Sequence, residues 1–243
     1  MGATRKIFNL PIIIRKNHIW ISELPGMFIG IAVAVALITL GWIALLNDHT
    51  IQKYNTILPL IKTERVFVAR TLTELRQKFT IVTVLDTFSH GKLSDEIKWT
   101  LAELVYRNSK TYGYDPLLVL AVIHVESLFD PKAKGQFRDG NYSGALGLMQ
   151  LKTETAREVA EALGIPFKSK DDLFIPEVNI PLGIAYLTQQ ISHFKSLKLG
   201  ILAYNQGPGV IASSLKSKQP LSIRYYNKVL QSYFSLRKMS GNS

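Results

Sequence analysis

The run from Phe28 to Leu46, FIGIAVAVALITLGWIALL, constrains the fold of this chain most, because it carries no charge over a length that spans a bilayer. A helix of about 20 apolar residues crosses the hydrocarbon core of a membrane. A buried helix of a soluble protein would show a polar stripe, and a cleaved signal peptide would have a shorter core and a small-x-small site. The run shows neither feature and ends ALLND. We therefore predict an uncleaved transmembrane anchor at 28–46.

The cations around this run predict its orientation. Arg5, Lys6, Arg15 and Lys16 precede it, whereas the first cation after it is Lys53. Because positively charged flanks stay in the cytoplasm, we expect residues 1–27 to be cytoplasmic. The chain would then cross the cell (inner) membrane once, with everything after Asn47 on the periplasmic, extracytoplasmic side.

The region after the anchor divides into a predicted helical stalk at 47–91 and a predicted domain at 92–238, followed by a tail at 239–243. Apolar residues recur in the stalk at helical spacing, as at Leu72, Leu75 and Phe79. Around Gly91 the composition changes, and Ser94 provides a helix N-cap signal. We interpret the stalk as a spacer between the membrane and the domain.

Helix signals dominate the predicted domain, so the expected fold class is mainly α. Asp115-Pro116 is typical of an N-cap and first helical turn, and further helices are predicted at 153–163 and 176–194. Strand signals are few. The dipeptide Asp139-Gly140, between Gln136-Phe137 and Asn141-Tyr142, predicts one short β-hairpin.

Composition limits the chemistry. With no cysteines, the chain has no disulfide, thiolate metal site or cysteine nucleophile, and its five histidines lack ligand spacing. No metal and no cofactor is predicted, because no phosphate-binding glycine motif follows a strand. The net charge is +11, with no Asp or Glu after Glu177. Charge alone leaves open a nucleic acid, an anionic lipid, an acidic wall polymer or simply a solvated surface.

Glu126 is the candidate acid. The preceding helix is apolar from Leu117 to Val125 except at His124, so we expect Glu126 to emerge from the core at the C-terminal end of that helix. Burial and the negative end of the helix dipole both disfavour a carboxylate and raise its pKa. A carboxyl that is still protonated near neutral pH can act as a general acid. His124 itself is interpreted as a core residue.

The loop after Glu126 and the remaining acids indicate the type of substrate. Gly144, Gly147 and the Leu148-Met149-Gln150 segment predict a passage of small residues along which a substrate chain could approach the backbone.

Most glycosidases use two carboxyl groups. The other acids of the domain are better explained as caps, turns or wet helix faces, namely Asp115, Asp130, Glu154, Glu158, Glu161, Asp171 and Asp172. Only Asp139 remains as a second candidate.

Four ordered motifs resemble one known family. They are Glu126-Ser127, the GALGLMQL stretch at 144–151, PEVNI at 176–180 followed by Gly183 and Tyr186-Leu187, and AYNQGPG at 203–209. Together they resemble the family 1 lytic transglycosylases with a soluble-lytic-transglycosylase-type catalytic domain. The resemblance covers roughly residues 92–235. It implies a goose-type, lysozyme-like, mainly α domain with at most a small hairpin.

The resemblance implies that the substrate is peptidoglycan rather than nucleic acid. In this family one glutamate protonates the leaving oxygen of the bond between N-acetylmuramic acid and N-acetylglucosamine, and then deprotonates the C6 hydroxyl to give a 1,6-anhydro end. By this resemblance Glu126 is catalytic, and the substrate-binding residues are Ser127, Gln150, Tyr204, Asn205 and Tyr225. Ser127 would orient Glu126, and Asn205 would secure the loop of Tyr204. Membrane contact and wall or secretion machinery are the further expected partners.

Departures from the family pattern leave alternatives. The segment 132–143 is longer than usual, Lys152-Thr153 replaces Met-Pro, and Leu221-Ser222-Ile223 replaces Glu-Thr-Arg before the late tyrosine. Either Tyr225 or Tyr226 could therefore be that tyrosine. The alternative functions are a goose-lysozyme-like hydrolase, with Asp139 or another carboxylate positioning water, and a non-catalytic wall-binding scaffold module.

Overall fold

The computed structural model describes residues 24–137 and 139–241, and for 24–28 it describes the backbone only. Most of the predicted cytoplasmic segment 1–27 and the last two residues of the predicted tail 239–243 lie outside the described residues. The chain divides into two compact units, with the boundary in the sequence between Val68 and Ala69. Each unit is described separately below.

The first unit is helical throughout its described part. Helix α1 begins at Leu24 and ends at Phe88, so its earlier turns contain the predicted anchor. Apolar side chains of the anchor are exposed, with Leu37 and Trp42 each 64% accessible. Among the described residues α1 is the one helix long and apolar enough to cross a membrane, judged by length and composition.

The second unit includes the last turns of α1. Ile81, Val84 and Leu85 of this helix are buried in the same core as α2 and α3. The C-terminal part of the region interpreted as a stalk therefore belongs to the core of the second unit. The burial of these apolar side chains contributes to the stability of that unit.

Seven further helices and one 3₁₀ helix belong to the described part of this unit. Their bounds are α2 (Asp95–Tyr112), α3 (Pro116–Ser127), α4 (Thr153–Leu163), the 3₁₀ helix (Lys170–Phe174), α5 (Pro176–Phe194), α6 (Leu197–Gln206), α7 (Pro208–Lys216) and α8 (Arg224–Met239). The predicted helices at 153–163 and 176–194 are confirmed. The predicted caps are confirmed as well, since Ser94 Oγ accepts from Ile97 N and Asp115 Oδ1 accepts from Leu117 N.

Helix α3 lies at the centre of the core. Its residues 117–123 are all buried, and α3 packs against α2 and α8. Helix α5 packs against α2, α4 and α6. Because α3 has no polar face, it is stable only when surrounded by other helices. This position brings the last turn of α3 to the inner wall of a groove.

A small antiparallel sheet lies between α3 and α4 in the chain. Strands β1 (Lys134–Gln136), β2 (Tyr142–Leu146) and β3 (Leu151–Lys152) follow the order β1-β2-β3. The predicted hairpin is confirmed: Phe137 N donates to Asn141 O at 2.8 Å, and Gly140 turns with a φ of 86°. Strand β3 was not predicted, because two residues carry no readable alternation. The mainly α fold class with a small sheet is confirmed.

Candidate active site

The side chain of Glu126 is positioned by the end of α3. The helix stops because Leu128 and Phe129 adopt positive φ values of 52° and 59°, and Leu128 N donates to His124 O. Asp130 then caps the following turn by accepting from Lys132 N at 2.8 Å. Glu126 is therefore held half-buried at the groove, one residue before the end of a rigid core helix.

Burial raises the pKa of Glu126 to about 7. Two weaker effects lower it: the Tyr225 hydroxyl, which donates to Glu126 Oε1 at 2.5 Å, and the positive charge of Lys228. Both of these residues lie on α8, which packs against α3. Near neutral pH the carboxyl group is thus present in comparable amounts as acid and as base, which suits a group that must both donate and accept a proton.

The adjacent residue Tyr226 makes no such contact. The structure therefore identifies Tyr225, rather than Tyr226, as the tyrosine bound to Glu126. Tyr225 is buried, and burial together with the charge of Glu126 raises its pKa well above the ordinary value. Its phenol stays protonated and remains a hydrogen-bond donor.

Glu126 lines a groove of about 850 Å³. One wall is formed by the β-hairpin, with Gln136 and Ser143, and the other by Tyr186 and the end of α6. Among the described residues that line this groove, Glu126 is the only carboxylic acid. The remaining lining includes hydroxyl, amide and aromatic side chains. Hydroxyl and amide groups can hydrogen-bond to sugar hydroxyls, and aromatic rings can pack against the faces of sugar rings.

Tyr204 connects the floor of the groove to the loop before β3. Its hydroxyl donates to Met149 O at 2.6 Å, and its ring centroid lies 5.4 Å from that of Tyr186. Burial raises the pKa of Tyr204 well above its ordinary value, and the charge of Glu126 acts in the same direction. Tyr204 is therefore close enough to Glu126 to interact electrostatically with it. Tyr186 was not among the predicted site residues.

Asn179 holds the same loop from the other side, and it too was missed as a candidate. Its Oδ1 accepts from Met149 N at 2.8 Å, and its Nδ2 donates to Leu146 O and Leu173 O. The side chain is fully buried. A buried amide that satisfies three backbone groups fixes a loop tightly, because the folded state would be destabilised by any of these buried groups left without a hydrogen bond. The sequence signal was available in the PEVNI motif, but not the identity of its partners.

Gly147 has a different role from the one predicted. It adopts a φ of 74°, and a Cβ built there would lie 2.0 Å from Leu173 O and 2.5 Å from Asn179 Nδ2. The space beside it is thus occupied by protein and offers no passage for a substrate. Gly144 lines a separate cavity beyond the hairpin. Leu148 and Met149 are buried in the core.

Gln150 lies in the groove, as the resemblance implied. Its Nε2 donates to Ala133 O at 3.2 Å and to Gly147 O at 2.8 Å. The residue adopts a positive φ of 49°, which is uncommon without a glycine and is held here by these contacts. Its role in substrate binding stays a prediction.

The contacts predicted for Ser127 and Asn205 differ from those that the two side chains make in the structure. Ser127 Oγ donates to Ile123 O at 3.0 Å, the usual bond of a helical serine one turn back, instead of orienting Glu126. Asn205 is exposed and lines the groove, while the neighbouring Gln206 secures this region, because its Nε2 donates to Ser222 O at 2.9 Å. Both Asn205 and Gln206 line the groove, but the bond that secures this region is made by Gln206.

Asp139, the candidate for a second carboxylate, and His124, interpreted as a core residue, both make contacts away from the Glu126 carboxyl group. Asp139 is exposed at the hairpin turn, where hydrogen bonds from Asn141 lower its pKa. It is not among the residues that line the groove. His124 Nδ1 lies 2.9 Å from Ser232 Oγ, and its ring stacks on Phe129. In the described ranges, no three His, Cys, Asp or Glu side chains come close enough to hold a metal ion.

Comparison with known proteins agrees with this arrangement. The model of the transglycosylase SLT domain matches residues 103–227. Membrane-bound lytic murein transglycosylase C of Mannheimia succiniciproducens is 32% identical over an alignment of 136 residues that covers 52% of this chain and 36% of that protein. Membrane-bound lytic murein transglycosylase E of Buchnera aphidicola is 31% identical over an alignment of 131 residues that covers 50% of this chain and 59% of that protein.

Among solved structures, the 70 kDa soluble lytic transglycosylase of Escherichia coli superposes with a TM-score of 0.50 and 27% identity, over 58% of this chain and 24% of that one. The chain spans about a third of the length of the first curated relatives it matches. The family match extends over half of the chain and includes all four ordered motifs between 126 and 209. The chain therefore belongs to the transglycosylase SLT domain family.

Proposed function

We propose that the chain is a membrane-anchored lytic transglycosylase of peptidoglycan. It would cleave the β-1,4 bond between N-acetylmuramic acid and N-acetylglucosamine, with Glu126 as the single acid and base. The observation that carries this proposal is the half-buried carboxyl group of Glu126, which has a pKa of about 7 and is the one acid among the described residues that line a groove of polar and aromatic side chains. The names of its relatives, membrane-bound lytic murein transglycosylases, agree with this substrate.

In the first step, protonated Glu126 donates its proton to the glycosidic oxygen, and the bond from that oxygen to C1 of the muramyl ring breaks. The carbonyl oxygen of the muramyl N-acetyl group attacks C1 as the bond breaks, so the substrate supplies the nucleophile. Burial supports this step because it keeps Glu126 protonated near neutral pH.

In the second step, the Glu126 carboxylate removes the proton of the muramyl C6 hydroxyl. Oxygen O6 then bonds to C1 and displaces the N-acetyl oxygen, which leaves a 1,6-anhydro ring and restores protonated Glu126. Tyr225 supports this step, since its hydrogen bond stabilises the carboxylate form. The opposing effects of burial and Tyr225 thus serve the two halves of the reaction.

The groove favours the transglycosylase over the hydrolase. A hydrolase would use a second carboxylate to hold the attacking water. Asp139, the candidate for that role, bonds to Asn141 at the hairpin turn and is not among the groove residues. The scaffold alternative does not require the raised pKa of Glu126. Mass spectrometry of fragments released from purified sacculi distinguishes all three, because anhydro ends, reducing ends and no release are the respective outcomes.

We expect Tyr225→Phe to move the pH profile of activity upward. Without the donated hydrogen bond the carboxylate loses stabilisation, so the pKa of Glu126 rises above about 7. The alkaline fall of kcat/KM, which follows loss of the acid form, should shift by about one pH unit. Tyr226→Phe is the matched control and should leave the profile unchanged. An unaltered profile in Tyr225→Phe would contradict the proposed electrostatic role.

The membrane arrangement is part of the same proposal. The anchor at 28–46 would cross the inner membrane once, residues 47–91 would follow it, and the domain at 92–238 would face the periplasm. The exposed apolar turns of α1 and the cations before them support this arrangement. Wall or secretion machinery would be reached on that side of the membrane.

Because the chain has no cysteine, single cysteines can report its topology. We expect Ser217→Cys, at an exposed position after α7, to react with a membrane-impermeant maleimide in intact spheroplasts. Ala3→Cys should react only after the membrane is permeabilised. The reverse pattern would show the opposite orientation, and equal labelling of both sites in intact spheroplasts would argue against a single pass.

A further inference from the structure

One face of α1, beyond the anchor, carries a stripe of apolar side chains. Six positions follow one another there at alternating steps of three and four residues. This set, the stalk stripe, comprises Ile51, Tyr54, Leu58, Ile61, Arg65 and Val68. Its five apolar or aromatic side chains are each 46–68% exposed. The described part of the first unit consists of α1 alone, so none of its described residues covers the stripe.

The spacing of the stalk stripe is that of a heptad repeat. Steps of three and four residues alternate between positions a and d of a coiled coil, and the stripe begins at a with Ile51 and ends at d with Val68. In the sequence the same spacing continues through Leu72, Leu75 and Phe79. A repeat sustained over about four heptads is typical of a helix that pairs with other helices along its length.

The one charged member of the stripe, Arg65, indicates which helix would pair with it. A guanidinium in an apolar seam is destabilising unless a carboxylate neutralises it. In a parallel coiled coil, a side chain at position a enters a hole of four residues on the facing helix, and one of the four directly precedes the partner's own position a. In this chain that preceding residue is Glu64. Among the described residues, the ion pairs within the chain include neither Glu64 nor Arg65.

The stalk also has a weak point as a single helix. Pro59 lies inside α1, where it removes a backbone hydrogen bond. It falls at position b, so its ring points away from the stalk stripe. Most of the stability of a helix in water comes from packing of its apolar face, and a helix at the same register would provide that packing.

We propose that the stalk binds other copies of this chain through the stalk stripe, as a parallel, in-register coiled coil. Arg65 of each copy then pairs with Glu64 of a neighbouring copy. The parallel direction rests on the proposed membrane arrangement, because anchors that cross in the same sense bring their stalks out on the same side. Confinement to one membrane also raises the effective concentration of the copies. The assembly tethers two or more catalytic domains.

Single cysteines test the proposal, because the chain has none of its own. With the full chain in membrane vesicles, we expect Ile51→Cys and Val68→Cys each to form a disulfide between copies on mild oxidation, seen as a doubled mass on a non-reducing gel. The two positions lie roughly 25 Å apart along the helix, so an antiparallel pair could join at most one of them to itself. Leu60→Cys, an exposed apolar position outside the stripe, is the control and should stay monomeric. Cross-linking at only one stripe position, at neither, or equally at Leu60 would overturn the proposal.

Charge reversal tests the pairing of Arg65 with Glu64. We expect Arg65→Glu to weaken association of the full chain in detergent about tenfold, because like charges then meet between copies. The double variant Glu64→Arg/Arg65→Glu should restore it, and Lys53→Glu, outside the stripe, should leave it unchanged. Association is measured as molar mass against concentration by light scattering. A double variant that associates no better than Arg65→Glu would overturn the proposed pairing.

The cross-linking readout is independent of catalysis. Ile51→Cys should cross-link to the same extent with and without Glu126→Gln. If cross-links form as expected while sacculi release no anhydro fragments, the proposed function fails and the stalk assignment stands. If anhydro fragments are released but neither stripe position cross-links, the stalk assignment fails and the proposed function stands.

Discussion

Glu126→Gln is expected to lower the release of fragments from purified sacculi by about 10³-fold or more, because the amide can neither donate nor accept the proton and general acid–base catalysis contributes roughly 10²–10⁴-fold in each role. The groove offers no other carboxylic acid among the described residues to take over. Release is measured as muropeptides by mass spectrometry. The matched control is Glu161→Gln, the same change at an exposed position on α4, which should keep full activity.

Loss of activity in Glu126→Gln should not reflect loss of folding. The pKa of Glu126 lies at about 7, above the ordinary glutamate value of 4.5, so the folded state binds the proton more tightly than the unfolded state. Its contribution to stability is full below pH 4.5 and is lost as pH rises through about 7. Glutamine does not ionise. The variant should therefore unfold at an equal or higher temperature than wild type at pH 8, and a lower Tm there would contradict the burial of this carboxyl.

Gly147→Ala is expected to destabilise the domain by about 3 kcal/mol or more, because it combines left-handed backbone strain with overpacking. The added Cβ would lie 2.0 Å from Leu173 O, a backbone atom that can yield only by moving the 3₁₀ helix. It would also displace the Asn179 amide from Met149 N and Leu146 O. The Tm of the full chain should fall by roughly 6–12 °C.

A second glycine isolates the contribution of backbone strain. Gly164, at the end of α4, has a φ of 65°, and a Cβ there would meet no atom within 4 Å. Gly164→Ala should therefore lower stability by only about 1–2 kcal/mol, the contribution of the left-handed conformation alone. Equal losses of stability in the two variants would contradict the predicted effect of the close contact between Gly147 and Leu173.

Much of the fold was readable from local patterns. The capping residues Ser94 and Asp115, the proline at the start of α3 and the Asp139-Gly140 turn each depend on interactions within a few residues. Such interactions repeat in any fold, so sequence patterns predict them well. Strand β3 was missed because it exists only through its pairing with β2.

The site was readable only in part. Glu126 stood out because an apolar helix ends at a carboxylate, and the family motifs indicated Tyr225 and Tyr204. Ser127 was predicted to orient Glu126, but its hydroxyl bonds to a backbone carbonyl instead. Asn205 was predicted to secure its loop, but the neighbouring Gln206 makes the securing bond. The phase of a helix relative to its neighbours decides such contacts, and one residue changes the direction of a side chain by about 100°.

The chain's own sequence was enough to establish an apolar helix near its start, a mainly α domain and one acid at the end of a core helix. These features follow from hydrophobic length, caps and periodicity, which act over short distances along the chain. Folding decided the rest: that α8 brings Tyr225 and Lys228 to Glu126, that Asn179 and Gly147 hold one loop, and that a cavity lies behind the hairpin. Glu126 and Tyr225 are 99 residues apart, and only tertiary packing joins them.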